Sequence, residues 1–224
     1  ILAAKAGAKA EQVGQTKLEY RRLIDREVTN KAVAYIKANS KGEEPFFLYV
    51  PFINPHHPVV AHPDFKGKSG GGTYSDVLME IDHNTGRVMD AIKEAGIDDN
   101  TIVVWFSDNG PTRYSLLPYE NGDPGPWTGE LGSVFEGGLR TAGMIRWPGT
   151  IKPMVADELF HEMDFFPTFA RWAGAAVPDD RQIVAYHDQG QAQPLLQVLQ
   201  QIDHLGADRD IQGRDGLVAD DQLR

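Results

Sequence analysis

Residues 101–110, TIVVWFSDNG, constrain the fold of this chain more than any other stretch. The β-branched and aromatic run over residues 101–106 predicts a strand that is apolar on both faces and therefore buried in a sheet covered by helices. The strand is followed by Asp108, Asn109 and Gly110. A carboxylate beside a carboxamide places two oxygen ligands at the end of a strand, where open α/β sheets bind ligands. The same residue types favour ordinary turns, so both interpretations stay open for this stretch alone.

Helical and strand patterns alternate on either side of this stretch. Apolar residues recur at helical spacing over residues 18–38 and 74–95, and a continuous apolar run, FFLYV, covers residues 46–50. A further strand over residues 142–147 and a helix beginning near Asp164 complete the pattern. This alternation predicts an α/β fold with a mostly parallel sheet that is flanked by helices on both faces.

The chain divides by composition into three regions. Residues 1–17 are small and polar without a firm period, and we expect a frayed helix or loop there. Residues 18–181 carry the alternating pattern and form the main domain. Residues 182–224 are rich in glutamine and form a C-terminal tail with no assigned role. Within the main domain, residues 66–73 (KGKSGGGT) lack the spacing of a phosphate-binding loop and predict a flexible surface linker.

Composition narrows the classes of partner. The net charge of −10 disfavours nucleic acid and other polyanions as ligands, and an anionic substrate would need a bound cation to reverse the local field. There is no cysteine, which excludes disulfides and thiolate metal sites, and no apolar run is long enough to cross a bilayer. Because the sequence has no initiator Met, signal peptide or transit peptide, we expect a processed or truncated piece of a longer protein.

A stiff loop with two adjacent histidines follows the apolar run at 46–50. Three prolines fall within residues 51–58 (PFINPHHP), so the loop presents the imidazoles of His56 and His57 at a low entropy cost. The alternative is a pair of surface histidines without a role. Asp82 and His83 lie within a predicted helix, where we expect a polar contact and a solvent-exposed side chain, and neither is included in the site.

Four segments together resemble the catalytic domain of the type I, formylglycine-dependent sulfatases of the alkaline-phosphatase superfamily. The segments are residues 45–58 (PFFLYVPFINPHHP), 101–110 (TIVVWFSDNG), 135–149 (FEGGLRTAGMIRWPG) and 163–174 (MDFFPTFARWAG). Their order and spacing make the similarity specific, and it covers roughly residues 18–181. The resemblance implies that this region is the second half of a sulfatase catalytic domain, so that the α/β domain is present only in part.

The resemblance implies roles for three residues. Asp108 and Asn109 match the family's ligands for a divalent cation, usually Ca²⁺, and their hard oxygen atoms suit that ion. His56 matches the histidine of the family's His-x-Pro motif and would act as general acid towards the leaving group, with His57 as the alternative if the register shifts by one. We expect this imidazole to converge with Asp108 and Asn109 on a common cavity at one rim of the parallel sheet.

Two departures from the family pattern bear on the site. Leu131 occupies the position where the family has a lysine that contacts sulfate, and we expect Arg113 to supply the missing charge. The family's nucleophile is a formylglycine made within a Cys/Ser-x-Pro-Ser-Arg motif, and this motif and an Asp-Asp metal pair are absent here. We expect both in a missing N-terminal part, so this chain alone is expected to be inactive. Glu136 and Arg140 are expected to be structural, as a buried pair or as a cap that supports the loop, in preference to a catalytic role.

The resemblance implies a sulfuric ester hydrolase that acts on a sulfated small molecule or glycan, with Ca²⁺ or another divalent cation as cofactor. A phosphate or phosphonate ester hydrolase on the same scaffold is the alternative enzyme. A non-catalytic fragment or pseudoenzyme that binds sulfated glycan is the alternative from another class. By family resemblance the protein is expected in the periplasm, the medium or the lysosome, and the sequence does not predict its oligomeric state.

Overall fold

The computed structural model describes residues 2–3, 9, 11–12, 18–113, 122–156 and 160–174, and the chain divides into two compact units, Ile1–Ile145 and Arg146–Arg224. Two short 3₁₀ helices cover Asp98–Asn100 and Glu162–Asp164. The α-helices are α1 (Leu18–Asn39), α2 (Thr73–Glu94), α3 (Glu136–Leu139) and α4 (Phe165–Trp172). The strands are β1 (Leu2–Ala3), β2 (Glu11–Gln12), β3 (Val103–Phe106) and β4 (Gly143–Arg146).

The core of the first unit lies between α1 and α2. Ile36 of α1 and Ala91 and Ile92 of α2 are almost fully buried, because the helical period directs these apolar side chains towards the facing helix. The end of α2 is capped by backbone hydrogen bonds, and Gly96 then adopts a positive φ of 72° that ends the helix. The predicted helices over residues 18–38 and 74–95 are therefore confirmed.

The predicted buried strand over residues 46–50 is wrong in the described structure. The segment is not part of a strand, although its residues alternate between half-buried and exposed. Phe46 and Leu48 pack against the α1–α2 core, whereas Phe47 and Tyr49 are 75% and 69% exposed. The alternation arises because an extended chain points successive side chains to opposite sides, and within the described residues only one side meets the helices.

The predicted strand over residues 101–106 is observed as β3, which pairs with β4. Its side chains are half-buried instead of buried on both faces. The other ladder in the described residues, β1 with β2, is antiparallel. It lies in the N-terminal segment where a frayed helix or loop is expected, and most of that segment falls outside the described residues. Each of these sheets has two strands. Helices and strands therefore combine as expected, whereas the mostly parallel sheet stays a prediction.

The glycine-rich linker lies largely on the surface, as predicted, but it is not a free linker. The Asp76 carboxylate, near the start of α2, accepts hydrogen bonds from Gly67 N at 2.7 Å, Ser69 N at 2.9 Å and Ser69 Oγ at 2.6 Å. Burial acts to raise the pKa of Asp76, but these hydrogen bonds outweigh it and lower the pKa. The carboxylate thereby fixes the linker to the helix that follows it.

The second unit contains α4, which begins near Asp164 as predicted. The His161 side chain accepts a hydrogen bond from Met163 N, and Asp164 accepts one from His161 N, so the two form a capping box. Gly174 follows the helix with a φ of 73°. The C-terminal tail falls outside the described residues. No described helix combines the length and the apolar character that a bilayer span requires.

Candidate functional site

The histidine loop, residues 51–64, connects residues 46–50 to the linker that precedes α2. The Asn54–Pro55 and His57–Pro58 peptide bonds are cis, and His56 N donates to Ile53 O at 3.2 Å. This turn brings His56 to the surface, where its side chain is exposed. The Pro-rich sequence therefore forms a defined turn, as the residue types predict.

The His56 imidazole has a defined orientation. Its Nδ1 lies 2.7 Å from the carbonyl oxygen of His57. A carbonyl can only accept, so Nδ1 carries the hydrogen in this contact and Nε2 takes no part in it. An imidazole in this tautomer can transfer a proton through Nε2 to a group in front of the loop.

Two residues of α1, Asp25 and Arg21, form hydrogen bonds with the backbone of the histidine loop. The Asp25 carboxylate, which is 1% exposed, accepts from Ile53 N at 2.7 Å and from Asn54 N at 3.2 Å. Burial raises the pKa of Asp25, and the two backbone donors offset part of that rise. One turn earlier in the helix, Arg21 donates to the carbonyl of Pro58 at 2.7 Å and to the carbonyl of His56.

Helix α2 contributes a second buried carboxylate to the same loop. Glu80 is 1% exposed, and its Oε2 accepts from His62 N at 2.8 Å. Burial, with a smaller contribution from the nearby Asp25 charge, raises the pKa of Glu80 to about 6. Sequence reasoning missed Asp25 and Glu80 because an Asp or Glu in an amphipathic helix usually faces solvent.

The Asp-Asn-Gly motif follows β3 directly. Asp108 is exposed, and Asn109 is half-buried with its Nδ2 donating to Gly110 O at 2.8 Å. Because the amide nitrogen is used in this way, Oδ1 is the end of the Asn109 side chain that can serve as a metal ligand. One carboxylate and one amide oxygen are suitable donors for a hard cation such as Ca²⁺.

Glycines brace the motif against α3. Gly110 N donates to Gly138 O at 2.9 Å, and a Cβ at Gly110 would lie 2.1 Å from the carbonyl oxygen of Gly137. A Cβ at Gly137 would in turn lie 2.4 Å from Gly129 O. Any side chain at these positions would collide with backbone, so only glycine permits this contact. The motif at residues 108–110 and the Glu-Gly-Gly motif at residues 136–138 therefore form one packed unit.

Arg113 is tied to the loop that follows the motif. Its guanidinium lies 3.1 Å from Asp123 Oδ1, and its backbone N donates to Glu130 Oε2 at 2.8 Å. The guanidinium is partly exposed, so it could exchange Asp123 for an anionic ligand. Leu131, the residue in place of the family lysine, is half-buried, and its backbone N donates to Pro111 O at 2.9 Å.

Glu136 and Arg140 are paired, but the prediction that the pair is buried is wrong. Their side chains are 61% and 39% exposed, with Arg140 Nε 3.5 Å from Glu136 Oε2. The two residues lie one helical turn apart, so their ion pair forms on the surface of α3. The Arg140 guanidinium also lies 4.9 Å from the ring centroid of Trp127, beside an open groove of about 310 Å³. The groove is lined by Pro126, Trp127, Thr128, Phe135 and Glu136.

The predicted site residues are held by two separate networks. Helices α1 and α2 hold the histidine loop, and α3 braces the metal motif. Within the described residues, the His56 side chain makes no hydrogen bond to Asp108 or Asn109, and no group of three or more His, Cys, Asp or Glu side chains could hold a metal ion. The convergence of these residues on one cavity therefore stays a prediction. Asp82 and His83 are exposed, and the prediction for His83 is confirmed.

Known proteins share much of this chain. The family model described as Sulfatase matches residues 3–175. N-acetylgalactosamine-6-O-sulfatase of Bacteroides thetaiotaomicron is 38% identical over 160 residues, which cover 68% of this chain and 31% of that protein. Steryl-sulfatase of Rattus norvegicus is 35% identical over 175 residues, which cover 76% of this chain and 30% of that protein.

A solved structure shows the same fold. The crystal structure of the PsFucS1 sulfatase from Pseudoalteromonas sp. matches with a TM-score of 0.74 and 28% identity, and the match covers 79% of this chain and 36% of that one. The described elements therefore belong to an α/β fold of the kind found in that enzyme. The chain spans about a third of the length of these proteins.

Proposed function

The chain belongs to the sulfatase family, and from this membership we propose that it forms part of a sulfuric ester hydrolase, contributing metal ligands and the general acid. The observation that carries the proposal is the Asp-Asn-Gly motif at the end of β3, braced by glycines against the Glu-Gly-Gly motif. Gly110 packs so closely against Gly137 and Gly138 that no side chain fits between them. This contact supports a fixed position for the neighbouring Asp108 and Asn109, which a metal site requires.

His56 is the proposed general acid. Hydrolysis of a sulfate monoester breaks a bond between sulfur and the ester oxygen, and the departing oxygen leaves more easily when it receives a proton. The contact of Nδ1 with His57 O supports Nε2 as the donor of that proton. His57 stays the alternative donor if the register shifts by one.

Asp108 and Asn109 are the proposed ligands of a divalent cation, most suitably Ca²⁺. Their oxygen atoms fit such an ion, although two ligands are only part of the six to eight oxygens that Ca²⁺ takes. The bound cation would offset the negative charge of the sulfate oxygens beside an acidic protein. Arg113 is proposed as a further sulfate contact, which would require it to exchange its bond with Asp123.

The residues of this chain do not provide the family's nucleophile. The sequence contains no cysteine and no Ser-x-Pro-Ser-Arg motif, so a formylglycine would have to come from outside these 224 residues. The chain by itself is accordingly proposed to bind the cation and to present the acid without completing the reaction. A chain that supplies only part of the site agrees with the coverage of its relatives, since it spans about a third of their length.

The proposed substrate is a sulfated small molecule or glycan. One relative is named for a sulfated amino sugar and another for a sulfated sterol, so membership of the family leaves both classes open. The net charge of −10 disfavours nucleic acid as a partner. Export to the periplasm, the medium or the lysosome stays a proposal that rests on family habit.

Mn²⁺ can test the metal site, because it binds oxygen ligands and broadens the NMR signals of nearby groups. We expect Mn²⁺ to broaden the side-chain amide resonances of Asn109 first and Ca²⁺ to restore them, with millimolar affinity because the chain supplies few ligands. Asp108→Ala should weaken this effect at least tenfold. Asp99→Ala removes an exposed carboxylate just before β3 and should leave it unchanged.

Equal broadening in the Asp108→Ala variant and the unaltered chain would overturn the proposed metal site. A chain that binds Mn²⁺ at Asn109 and also binds a sulfated glycan, but hydrolyses no sulfate ester when joined to the nucleophile-bearing part, would favour the non-catalytic alternative. Hydrolysis of 4-nitrophenyl phosphate in preference to 4-nitrophenyl sulfate by that complete protein would favour the phosphate ester hydrolase.

A further inference from the structure

Two buried carboxylates, one from each long helix, hold the two ends of the histidine loop. Asp25 of α1 accepts from the backbone at Ile53 and Asn54, and Glu80 of α2 accepts from the backbone at His62. Both side chains are 1% exposed, and neither forms an ion pair within the described residues. Burying an unpaired carboxylate is costly, so an apolar residue at either position would give a cheaper contact between the helices.

The hydrogen bonds lead from Asp25 to His56. Asp25 Oδ1 accepts from Ile53 N at 2.7 Å, and Ile53 O accepts from His56 N at 3.2 Å. Both carboxylate oxygens are used, since Oδ2 accepts from Asn54 N. Only a carboxylate offers two acceptor oxygens in this arrangement, because an amide would direct its own N–H groups at one of the two donors.

Arg21 holds the other side of the same turn. Its guanidinium donates to the carbonyl of His56 and, at 2.7 Å, to the carbonyl of Pro58. Arg21 and Asp25 are four residues apart and therefore share one face of α1. One face of α1 thus accepts hydrogen bonds from the backbone N–H groups before His56 and donates hydrogen bonds to the carbonyls of His56 and Pro58.

We propose that Asp25 is a positioning residue for His56, and that with Arg21 it sets the orientation of the imidazole through the backbone of residues 53–58. The importance of this orientation for catalysis rests on the proposed function. The orientation itself rests only on the hydrogen bonds described above. Glu80 binds the other end of the loop at His62, so the loop is held at a second point besides its contact with Asp25.

The test compares Asp25→Asn with Thr29→Val in this chain. Thr29 lies one turn further along α1, is fully buried and donates through Oγ to Asp25 O at 2.7 Å, and it has no hydrogen bond to the loop among the described residues. Each variant removes buried hydrogen bonding from the same region of α1. Imidazole ¹⁵N shifts report the His56 tautomer, and hydrogen exchange reports the amides of Ile53 and Asn54.

We expect Asp25→Asn to increase exchange at Ile53 and Asn54 at least tenfold more than Thr29→Val does, and to shift the His56 signals away from the Nδ1–H tautomer. Thr29→Val should lower the Tm but leave the His56 shifts unchanged. If Asp25→Asn does not fold, Arg21→Gln provides the second variant, because it removes the donor to the His56 carbonyl and should disturb the same signals.

Unchanged His56 shifts in whichever of these loop-anchor variants folds would overturn the proposal, as would equal changes in Thr29→Val. The readouts do not require turnover, so the proposed function can fail independently. A His56→Ala substitution that leaves sulfate-ester hydrolysis by the complete protein unaltered would reject His56 as the acid and leave the positioning role of Asp25 standing.

Discussion

Gly110 packs directly against α3 because it has no side chain. Its backbone lies against Gly137 and Gly138, and the nearest carbonyl oxygen is 2.1 Å from the position of a Cβ. A β-carbon essentially never lies so close to a backbone oxygen, so even alanine must displace β3 from α3. The identity of this residue follows from a contact between segments that are almost thirty residues apart in the sequence.

We expect Gly110→Ala to lower the free energy of unfolding by about 1–3 kcal/mol, the usual cost of overpacking. The control is Gly86→Ala, within α2, where a Cβ would meet nothing within 4 Å. Alanine has the higher helix propensity, so this variant should gain about 0.5–1 kcal/mol. Urea unfolding of both variants measures the difference, and equal stabilities would show that the contact at Gly110 is absent in solution.

Helix α2 serves as an anchor for two neighbouring segments. Asp76, near its start, binds the glycine-rich linker, and Glu80, one turn later, binds the end of the histidine loop. Both carboxylates face the loops that precede the helix instead of solvent, and both are buried. The helix therefore orders irregular chain through backbone N–H groups, which need an acceptor wherever they are buried.

The connection between α2 and the histidine loop should depend on pH. The pKa of Glu80 is about 6 in the folded chain, against an ordinary value of 4.5. A raised carboxyl pKa favours the protonated form, so its contribution to stability is complete below pH 4.5 and is lost as the pH rises through 6. The shift corresponds to about 2 kcal/mol. The negative charges of Asp25 and Asp64 also raise the pKa of Glu80, whereas the positive charge of Arg26 lowers it.

The test is the difference in unfolding free energy between Glu80→Gln and the unaltered chain. Glutamine stays neutral at every pH and can still accept from His62 N through its amide oxygen. We therefore expect the variant to gain about 2 kcal/mol relative to the unaltered chain between pH 4 and pH 7. Urea unfolding at several pH values measures this difference. A difference that does not vary with pH would mean that Glu80 is not buried in solution.

At the scale of the whole molecule, the chain corresponds to part of a longer sulfatase. It matches the sulfatase family over residues 3–175 but spans about a third of the relatives' length. Phe47 and Tyr49 leave much of their surface exposed beside a well-packed helix pair. In the proposed function, the acid and two metal ligands lie in this chain, whereas the nucleophile lies elsewhere.

We expect the chain alone to hydrolyse 4-nitrophenyl sulfate no faster than buffer, with or without Ca²⁺. The physical reason is that none of its residues can become a formylglycine, since it contains neither cysteine nor the required serine motif. Release of 4-nitrophenol at 400 nm would be measured, with His56→Ala as the matched control. Turnover that disappears in the His56→Ala variant would show that this chain provides a complete site and would contradict the prediction.

Local features of the fold were predictable from the sequence. The bounds of α1, α2 and α4 follow from apolar periodicity, with Gly96 and Gly174 ending α2 and α4. The turn around His56 follows from proline spacing. The Asp-Asn-Gly motif and the family also followed from the sequence, because motif order is a linear property of the chain.

Only the tertiary structure decided which polar residues are buried and which apolar ones are not. Phe47 and Tyr49 are exposed because a neighbouring element covers one side of their segment within the described residues, and the residues themselves cannot specify that neighbour. Asp25 and Glu80 are buried because the loop brings unpaired backbone N–H groups to them. Periodicity and motifs act over a few residues, whereas burial depends on segments that are distant in sequence, so it is determined only when the chain folds.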